Sequence, residues 1–220
     1  MLSSLVLNDA LDRLVLASGA VPRDYLVLSA RAIRQAQQRA GARVVGVQDV
    51  NRAAGDAAKI KITELEDDAS SDSGTPNILS ALQVVRNFCL DDKRCTYFRI
   101  DFRDKEQRGA DYSLIQDLMD LRLLHLIESS LSDEHEAGRR SEVYMLDLSQ
   151  FSGQRLKKKL RVLDFVGGHL FLKETGTTLP GRHGKTPKQR LGILRRGPLL
   201  ALRSLSALPP RAPPGVEDRS

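Results

Sequence analysis

Apolar residues recur at near-helical spacing in two segments at the start of the chain. Residues 2–17 and 22–39 carry these positions, namely Leu2, Leu5, Val6, Ala10, Leu14, Tyr25, Leu26, Leu28, Ala32 and Ile33. Gly19 suits the end of the first helix, and Pro22 suits the first turn of the second. A further helix is predicted to begin at Gln48 and Asp49. The pattern therefore predicts a helical unit over residues 1–55.

Residues 56–74 change character and mark a boundary. The stretch ends in five carboxylates, Glu64, Glu66, Asp67, Asp68 and Asp72, followed by Ser73-Gly74. An acidic, solvated helix end is favoured over a metal site, because no turn geometry converges these carboxylates. We therefore expect an acidic linker and helix end here.

The second half of the chain mixes both periodicities. Helical spacing predicts helices over residues 75–90 and 110–125. Alternation and β-branched or aromatic residues predict strands over residues 95–102, 126–128 and 143–147, with a polar loop at 129–142. Two apolar stretches, 160–163 and 169–172, are predicted to extend the sheet. This order predicts an α+β, mainly helical fold with a winged-helix-like module over residues 75–178, although the pattern shows one helix before Leu126 where two are expected.

The positive charge is unevenly distributed. The net charge is +6, but residues 180–220 carry nine basic and two acidic side chains, whereas residues 1–179 carry 25 basic and 26 acidic ones. Seven of the nine prolines also lie beyond residue 179. This composition predicts that residues 179–220 form a disordered, basic tail. Two interpretations stay open: a tail that contacts acidic surfaces or nucleic acid, and an off-frame or terminal extension.

The remaining composition excludes several classes of protein. No apolar run approaches the roughly 20 residues that span a bilayer, and the first ten residues lack the basic start of a secretory signal. We therefore expect no membrane partner and a cytoplasmic location. Cys89 and Cys95 are the only cysteines, so a disulfide framework and a four-cysteine zinc site are not expected. Both thiols are predicted to be buried or half-buried.

No complete catalytic or nucleotide site is apparent. The one Gly-Lys-Thr, at Gly184-Lys185-Thr186, has Leu179 where a phosphate-binding loop requires glycine. The four histidines show no metal-ligand spacing, and His125 is predicted to cap a helix end or to be half-buried there. Ser149 and Ser152 lie in a polar turn without a nucleophile elbow. We therefore expect no catalytic residue, no metal and no enzymatic turnover by this chain alone.

Residues 18–24, Ser-Gly-Ala-Val-Pro-Arg-Asp, join the first two predicted helices. This G-x-x-P-R-D elbow resembles the sensor-arginine turn in the helical lid of AAA-type P-loop ATPases, in particular a bacterial group similar to origin-recognition initiator ATPases. Tracts at residues 49–54, 144–148 and 163–165 extend the resemblance over about residues 1–178. The resemblance implies a lid at 1–55, in which Gly19 and Pro22 shape the turn and Arg23 reaches the nucleotide phosphates.

The same resemblance implies the partners. The chain would be a C-terminal regulatory part, without Walker A or Walker B, that couples a nucleotide state to DNA or protein. ATP would be a ligand only of a P-loop ATPase core supplied by a missing segment or a separate chain. Asp24 is expected to stabilise its helix N-terminus through the helix dipole.

The charges on the predicted helices and loops bear on nucleic-acid binding. The helix predicted over 110–125 carries Asp111, Asp117 and Asp120 against Arg122, which repels DNA. The basic candidates lie elsewhere: Arg139, Arg140, Arg155, Lys157, Lys158, Lys159 and Arg161. A solvated basic edge is favoured over a DNA site. A nucleotide-independent winged-helix adaptor that binds DNA or protein through residues 139–161 remains the alternative function, and a gene remnant without function is a third.

Overall fold

The computed structural model describes residues 6–19, 21–69, 75–151, 159–166, 169–174 and 187–206. Within them the α-helices are α1 (Asn8–Ala17), α2 (Pro22–Gln38), α3 (Val47–Ala69), α4 (Thr75–Arg86), α5 (Phe102–Gln107), α6 (Gly109–Asp120) and α7 (Pro187–Arg195). The strands are β1 (Tyr97–Asp101), β2 (Leu124–Ser132), β3 (Arg140–Leu146), β4 (Arg161–Val166) and β5 (His169–Glu174). A π-helical turn (Asn87–Asp92) follows α4, and 3-10 turns span Leu148–Gln150 and Leu202–Ser204. The fold is α+β and mainly helical, which confirms the predicted class.

Helices α1, α2 and α3 pack against one another through small side chains. Ala10 and Ala32 are fully buried, and Ala53 is almost so. Alanine at these contacts lets the helices approach closely. The start of α3 is capped by its own third residue, because Asp49 Oδ2 accepts a hydrogen bond of 2.9 Å from Gly46 N. The helical character predicted for residues 1–55 is present from α1 onward.

Helix α3 continues where the sequence predicted a linker. It runs to Ala69, so residues 56–69 are helical, and residues 70–74 lie outside the described part of the chain. Lysine, alanine and glutamate favour helix, and the acidic composition therefore extends the helix instead of interrupting it.

A three-stranded antiparallel sheet has the order β1-β3-β2. Phe98 of β1 faces Tyr144 of β3 in the register, and their rings stack with centroids 5.6 Å apart. Both side chains are fully buried. The stacked pair joins the central strand β3 to its neighbour β1.

Two helices separate β1 from β2, where the sequence showed one. Asp101 ends β1 and caps α5 by accepting a hydrogen bond of 2.9 Å from Arg103 N. Helix α6 ends at Asp120, so the prediction of a helix to residue 125 was wrong at its end. Arg122 adopts a left-handed conformation with φ +57°, which stops the helix and allows β2 to begin at Leu124.

A buried carboxylate ties α5 and α6 to the sheet. Glu142 of β3 is 6% exposed and accepts hydrogen bonds from Lys105 Nζ (2.8 Å), Tyr112 Oη (3.0 Å) and Tyr144 Oη (2.6 Å). Burial lowers the pKa of Lys105, but the hydrogen bonds to Glu142 and Tyr112 outweigh it, and the net pKa is raised. Burial and the hydrogen bond to Glu142 raise the pKa of Tyr144. The buried carboxylate of Glu142 therefore has hydrogen-bond partners from α5, α6 and β3.

Strands β4 and β5 form their own two-stranded antiparallel hairpin. The expectation that residues 160–163 and 169–172 extend the main sheet was wrong. Arg161 makes an isolated bridge to Cys95, just before β1, instead of a ladder with a strand of that sheet. The hairpin packs on α1, where Arg13 and Asp164 form an ion pair of 3.3 Å.

Residues 187–206 are folded, so the prediction of a disordered tail over 179–220 was wrong for this segment. Tyr97 Oη donates a hydrogen bond of 2.7 Å to Ile193 O, and the backbone N–H of Leu200 donates one of 2.8 Å to Arg99 O. Five apolar side chains of the segment are buried: Ile193, Leu194, Leu200, Leu202 and Leu205. The segment covers the edge of β1. Residues 179–186 and 207–220 lie outside the described part of the chain.

Candidate functional site at the helical elbow

The elbow between α1 and α2 has the features that its sequence predicts. Helix α1 ends at Ala17, Gly19 takes the left-handed conformation with φ +56°, and α2 begins at Pro22. The N–H of Val21 donates a hydrogen bond of 3.0 Å to Ser18 O, which closes the turn. Glycine provides the required positive φ without strain, and proline provides the φ of the first helical position.

Arg23 is the second residue of α2, and its side chain is exposed. In the described part of the chain it forms no hydrogen bond or ion pair, so its guanidinium remains available. No acidic side chain among the described residues therefore neutralises it. An unpaired guanidinium can make charge-assisted hydrogen bonds to an anion.

Asp24, its neighbour, forms an ion pair with Arg122. Arg122 lies in the tight turn between α6 and β2, so the pair joins the start of α2 to the start of the sheet. The two side chains are 22% and 35% exposed, respectively. Asp24 also lies in the first turn of α2, where a carboxylate stabilises the helix dipole.

His125 makes a second connection between the elbow and the sheet. Its imidazole lies against Gly19, where an added β-carbon would overlap the ring. On the other side, His125 Nε2 is 2.7 Å from Asp147 Oδ2, and both side chains are about nine-tenths buried. Of the two roles predicted for His125, the half-buried one is confirmed and the helix cap is wrong, because the residue belongs to β2 and packs against the elbow.

Asp147 joins this cluster to the 3-10 turn that follows β3. It accepts hydrogen bonds from the backbone N–H of Ser149, at 3.0 Å, and from Ser149 Oγ. A Ser-His-Asp triad needs histidine between the other two residues, so that the imidazole can take the serine proton. Here the carboxylate lies in the middle. The geometry therefore positions His125 and provides no activated nucleophile.

A cleft of about 200 Å³ opens between these contacts. Its polar lining comes from α2 and from the ends of β2 and β3: Asp24, Arg31, Arg122, His125, Asp147 and Ser149. Ala54, Ala57 and Ala58 of α3 form the opposite, apolar wall. The elbow, the long helix α3 and the sheet thus meet at one place.

The basic candidates that the structure describes do not gather into one patch. Arg139 lies at the loop that precedes β3 and is engaged by Asp101 (2.5 Å) and Glu136 (2.9 Å), while Arg140 is exposed at the start of β3. Lys159 and Arg161 lie near the opposite end of β1, beside Arg94 and Cys95. The six-residue separation of Cys95 and Asp101 corresponds to about 20 Å along a strand.

Some candidates and alternatives lie outside the described residues. Arg155, Lys157 and Lys158 belong to this group, as does Gly184-Lys185-Thr186.

On α6, Asp111 pairs with Arg108 at 3.3 Å, and Asp120 is exposed. Cys89 and Cys95 are both buried free thiols, as expected, and burial raises the pKa of each.

Sequence reasoning missed the residues that fix the elbow. Arg122, His125 and Asp147 come from a turn and two strand ends. Arg122 contacts Asp24 and His125 contacts Gly19 over a long range in sequence, and Asp147 holds His125. One local signal existed, because Asp147-Leu148-Ser149 is a pattern that caps a helical turn. Periodicity carries no information about which element such a turn contacts.

Comparison with protein-family models, with curated proteins and with solved structures finds no match to this chain. None of the helices that the structure describes combines the length and the apolar character needed to cross a membrane.

Proposed function

We propose that this chain is a C-terminal regulatory part of an AAA-type, initiator-like P-loop ATPase. The α1–α3 unit acts as the nucleotide-sensing lid, and the module from α4 to β3 acts as a winged-helix domain. ATP is bound by the P-loop core, which is a missing segment or a separate chain. This chain contributes Arg23 and performs no turnover by itself.

One observation carries the proposal: the elbow that presents Arg23 is fastened to the sheet on both sides of the arginine. Gly19 contacts His125, and Asp24 pairs with Arg122. A movement of Arg23 toward a phosphate would therefore strain the contacts that Gly19 and Asp24 make with His125 and Arg122 at the start of β2. This provides a physical route from nucleotide state to module.

The element order supports the winged-helix assignment. Helix α4, strand β1, helices α5 and α6, and strands β2 and β3 follow one another, and the sheet order is β1-β3-β2. A winged helix places two helices between its first and second strands and a loop between the last two. Here α5 is the additional helix and residues 133–139 are the loop.

A protein partner is favoured over DNA for this module. The helix in the recognition position, α6, carries no lysine or arginine, and it presents Asp120 to solvent. Arg139 in the loop is balanced by Asp101 and Glu136. Such a surface gives little of the counterion release on which DNA affinity depends.

The test joins the chain to the P-loop core encoded upstream of it or beside it. Arg23→Ala should weaken ATP-dependent association or hydrolysis by about tenfold or more, the loss expected for a charge-assisted hydrogen bond. Arg34→Ala is the matched control, because Arg34 is an exposed arginine about three turns further along the same helix. Equal effects of the two substitutions, or ATP turnover by the isolated chain, would contradict the proposal.

The second candidate is a nucleotide-independent winged-helix adaptor. The observation that favours it is that the α4–β3 module builds its own polar and apolar core around Glu142, Phe98 and Tyr144. Salt titration separates the candidates. A steep loss of DNA affinity with salt, unaffected by Arg23→Ala, would favour the adaptor.

A further inference from the structure

A second cleft lies on the other side of Ser149, between α3, α4 and the 3-10 turn Leu148–Gln150. Its volume is about 570 Å³, which is within the range of small-molecule sites. Ser149 and Ala58 line both this cleft and the one at the elbow. The two clefts are therefore neighbours that share a wall.

The second cleft concentrates positive charge. Arg52, Lys59 and Arg86 line it, and Asp56 is the one acidic side chain among the described residues of its lining. Asp56 Oδ2 accepts a hydrogen bond of 3.1 Å from Gln35. In the described part of the chain none of the three cations forms an ion pair. Charges of one sign in a concave site attract an anion.

Two of the polar groups of the cleft are buried without a hydrogen bond. These are Arg86 Nε, a donor, and Gln150 Oε1, an acceptor. Gln150 is 2% exposed, and its Nε2 donates a hydrogen bond of 3.2 Å to Ser149 Oγ, so the amide is held in place. Buried polar groups are nearly always hydrogen-bonded in folded proteins, and such exceptions require an explanation.

We propose that this cleft binds a phosphorylated small molecule of about mononucleotide size. Its phosphate would accept hydrogen bonds from Arg86, with Arg52 and Lys59 contributing charge at the rim. A hydroxyl or amino group of the same ligand would donate to Gln150 Oε1. Ser149 lines the cleft and also donates a hydrogen bond to Asp147, which contacts His125 at the elbow. A ligand in the cleft would therefore lie next to the residues that hold the elbow. The proposal does not depend on Arg23.

The test is calorimetric titration of the whole chain with inorganic pyrophosphate and with ADP at low ionic strength. Pyrophosphate tests the phosphate contact alone, and ADP adds hydroxyl and amino donors. Arg86→Gln should raise the Kd for both by about tenfold or more, as expected for loss of a charge-assisted contact. Lys59→Gln, at an exposed position, should raise it by a smaller factor without affecting folding.

Arg34→Gln is the control, because Arg34 is exposed and does not line the cleft. Thermal unfolding of each variant separates lost binding from lost folding. Gln150→Met should remove the advantage of ADP over pyrophosphate and leave pyrophosphate binding intact. The proposal is overturned if neither compound binds at millimolar concentration, if Arg86→Gln and Lys59→Gln both bind like the wild type, or if only an oligonucleotide binds. Arg23→Gln should leave this binding unchanged, which distinguishes the site from the elbow arginine.

Discussion

The imidazole of His125 occupies the space that a β-carbon on Gly19 would need. Gly19 also has a φ of +56°, a conformation that residues with a side chain adopt at a cost. Glycine is thus required at this position twice, by the backbone of the elbow and by a side chain of β2. The relationship links the turn predicted from sequence to a strand distant in the chain.

Gly19→Ala should lower the free energy of unfolding by about 2–4 kcal/mol, which combines left-handed strain with displacement of a packed ring. Urea unfolding measures the change. Gly55→Ala is the matched control, because Gly55 lies within α3 and an added β-carbon meets nothing within 4 Å. There alanine should be neutral or stabilising by up to about 1 kcal/mol.

A double-mutant cycle separates the two contributions at Gly19. In the His125→Ala background the ring is absent, so Gly19→Ala should retain only the cost of its φ. If Gly19→Ala lowered the free energy of unfolding equally in both backgrounds, the contact between the elbow and β2 would make no contribution to stability.

The ion pair between Asp24 and Arg122 should contribute little to stability, because both side chains are partly exposed. Asp24→Asn is expected to cost about 1 kcal/mol or less, and the cost should shrink at high salt. Arg122→Gly removes the same pair but also relieves the positive φ of Arg122, so its net effect should be near zero or stabilising. Unfolding midpoints at low and high salt provide the measurement. A large, salt-independent loss in Asp24→Asn would contradict this interpretation.

Part of this architecture was predictable from the sequence, and each element that was not predicted has its own physical reason. Helix α2 was predicted well, because it buries one face. Strand β3 was predicted only from Val143 onward, since its first residues, Arg140, Ser141 and Glu142, are polar and show no strand pattern. Helix α5 was missed, since Phe102–Gln107 is too short and too polar to show a period. The left-handed residue Arg122, which ends α6 early, has no sequence signal comparable to glycine. The contacts of His125 depend on long-range packing.

The segment 187–206 shows how composition misleads. Its arginines and prolines indicate disorder, yet Leu194 and Leu202 are fully buried. Leu194→Ala should lower the free energy of unfolding by about 2–4 kcal/mol, because it removes buried methyl groups and leaves a cavity. Leu199→Ala, in the same segment but 39% exposed, should cost about 1 kcal/mol or less. Chemical denaturation compares the two, and equal, negligible effects would support the original expectation of disorder.

Stability should fall at alkaline pH because of Tyr97, Tyr144 and the two thiols. Burial raises the pKa of each of these groups in the folded chain, and hydrogen bonding to Glu142 raises that of Tyr144 further. A group with a raised folded pKa stabilises the native state fully below its unfolded pKa, and this stabilisation is lost as pH rises toward the folded value. The unfolded reference values are 9.0 for the thiols and 10.0 for the tyrosines. Unfolding midpoints should therefore decline from about pH 8.5 upward and more steeply above about pH 10.

Replacing Tyr97 and Tyr144 by phenylalanine tests the tyrosine part of this decline. The double variant should be less stable at neutral pH, because the hydrogen bonds to Ile193 O and Glu142 are lost. Above pH 10 its stability should depend less on pH than that of the wild type, since two groups that release protons only on unfolding are absent. Tyrosinate absorbance checks the assignment independently: in the folded wild type, two of the four tyrosines should ionise only as the chain unfolds. Ionisation of all four near pH 10 with the fold intact would show that the buried hydroxyl groups do not couple to stability.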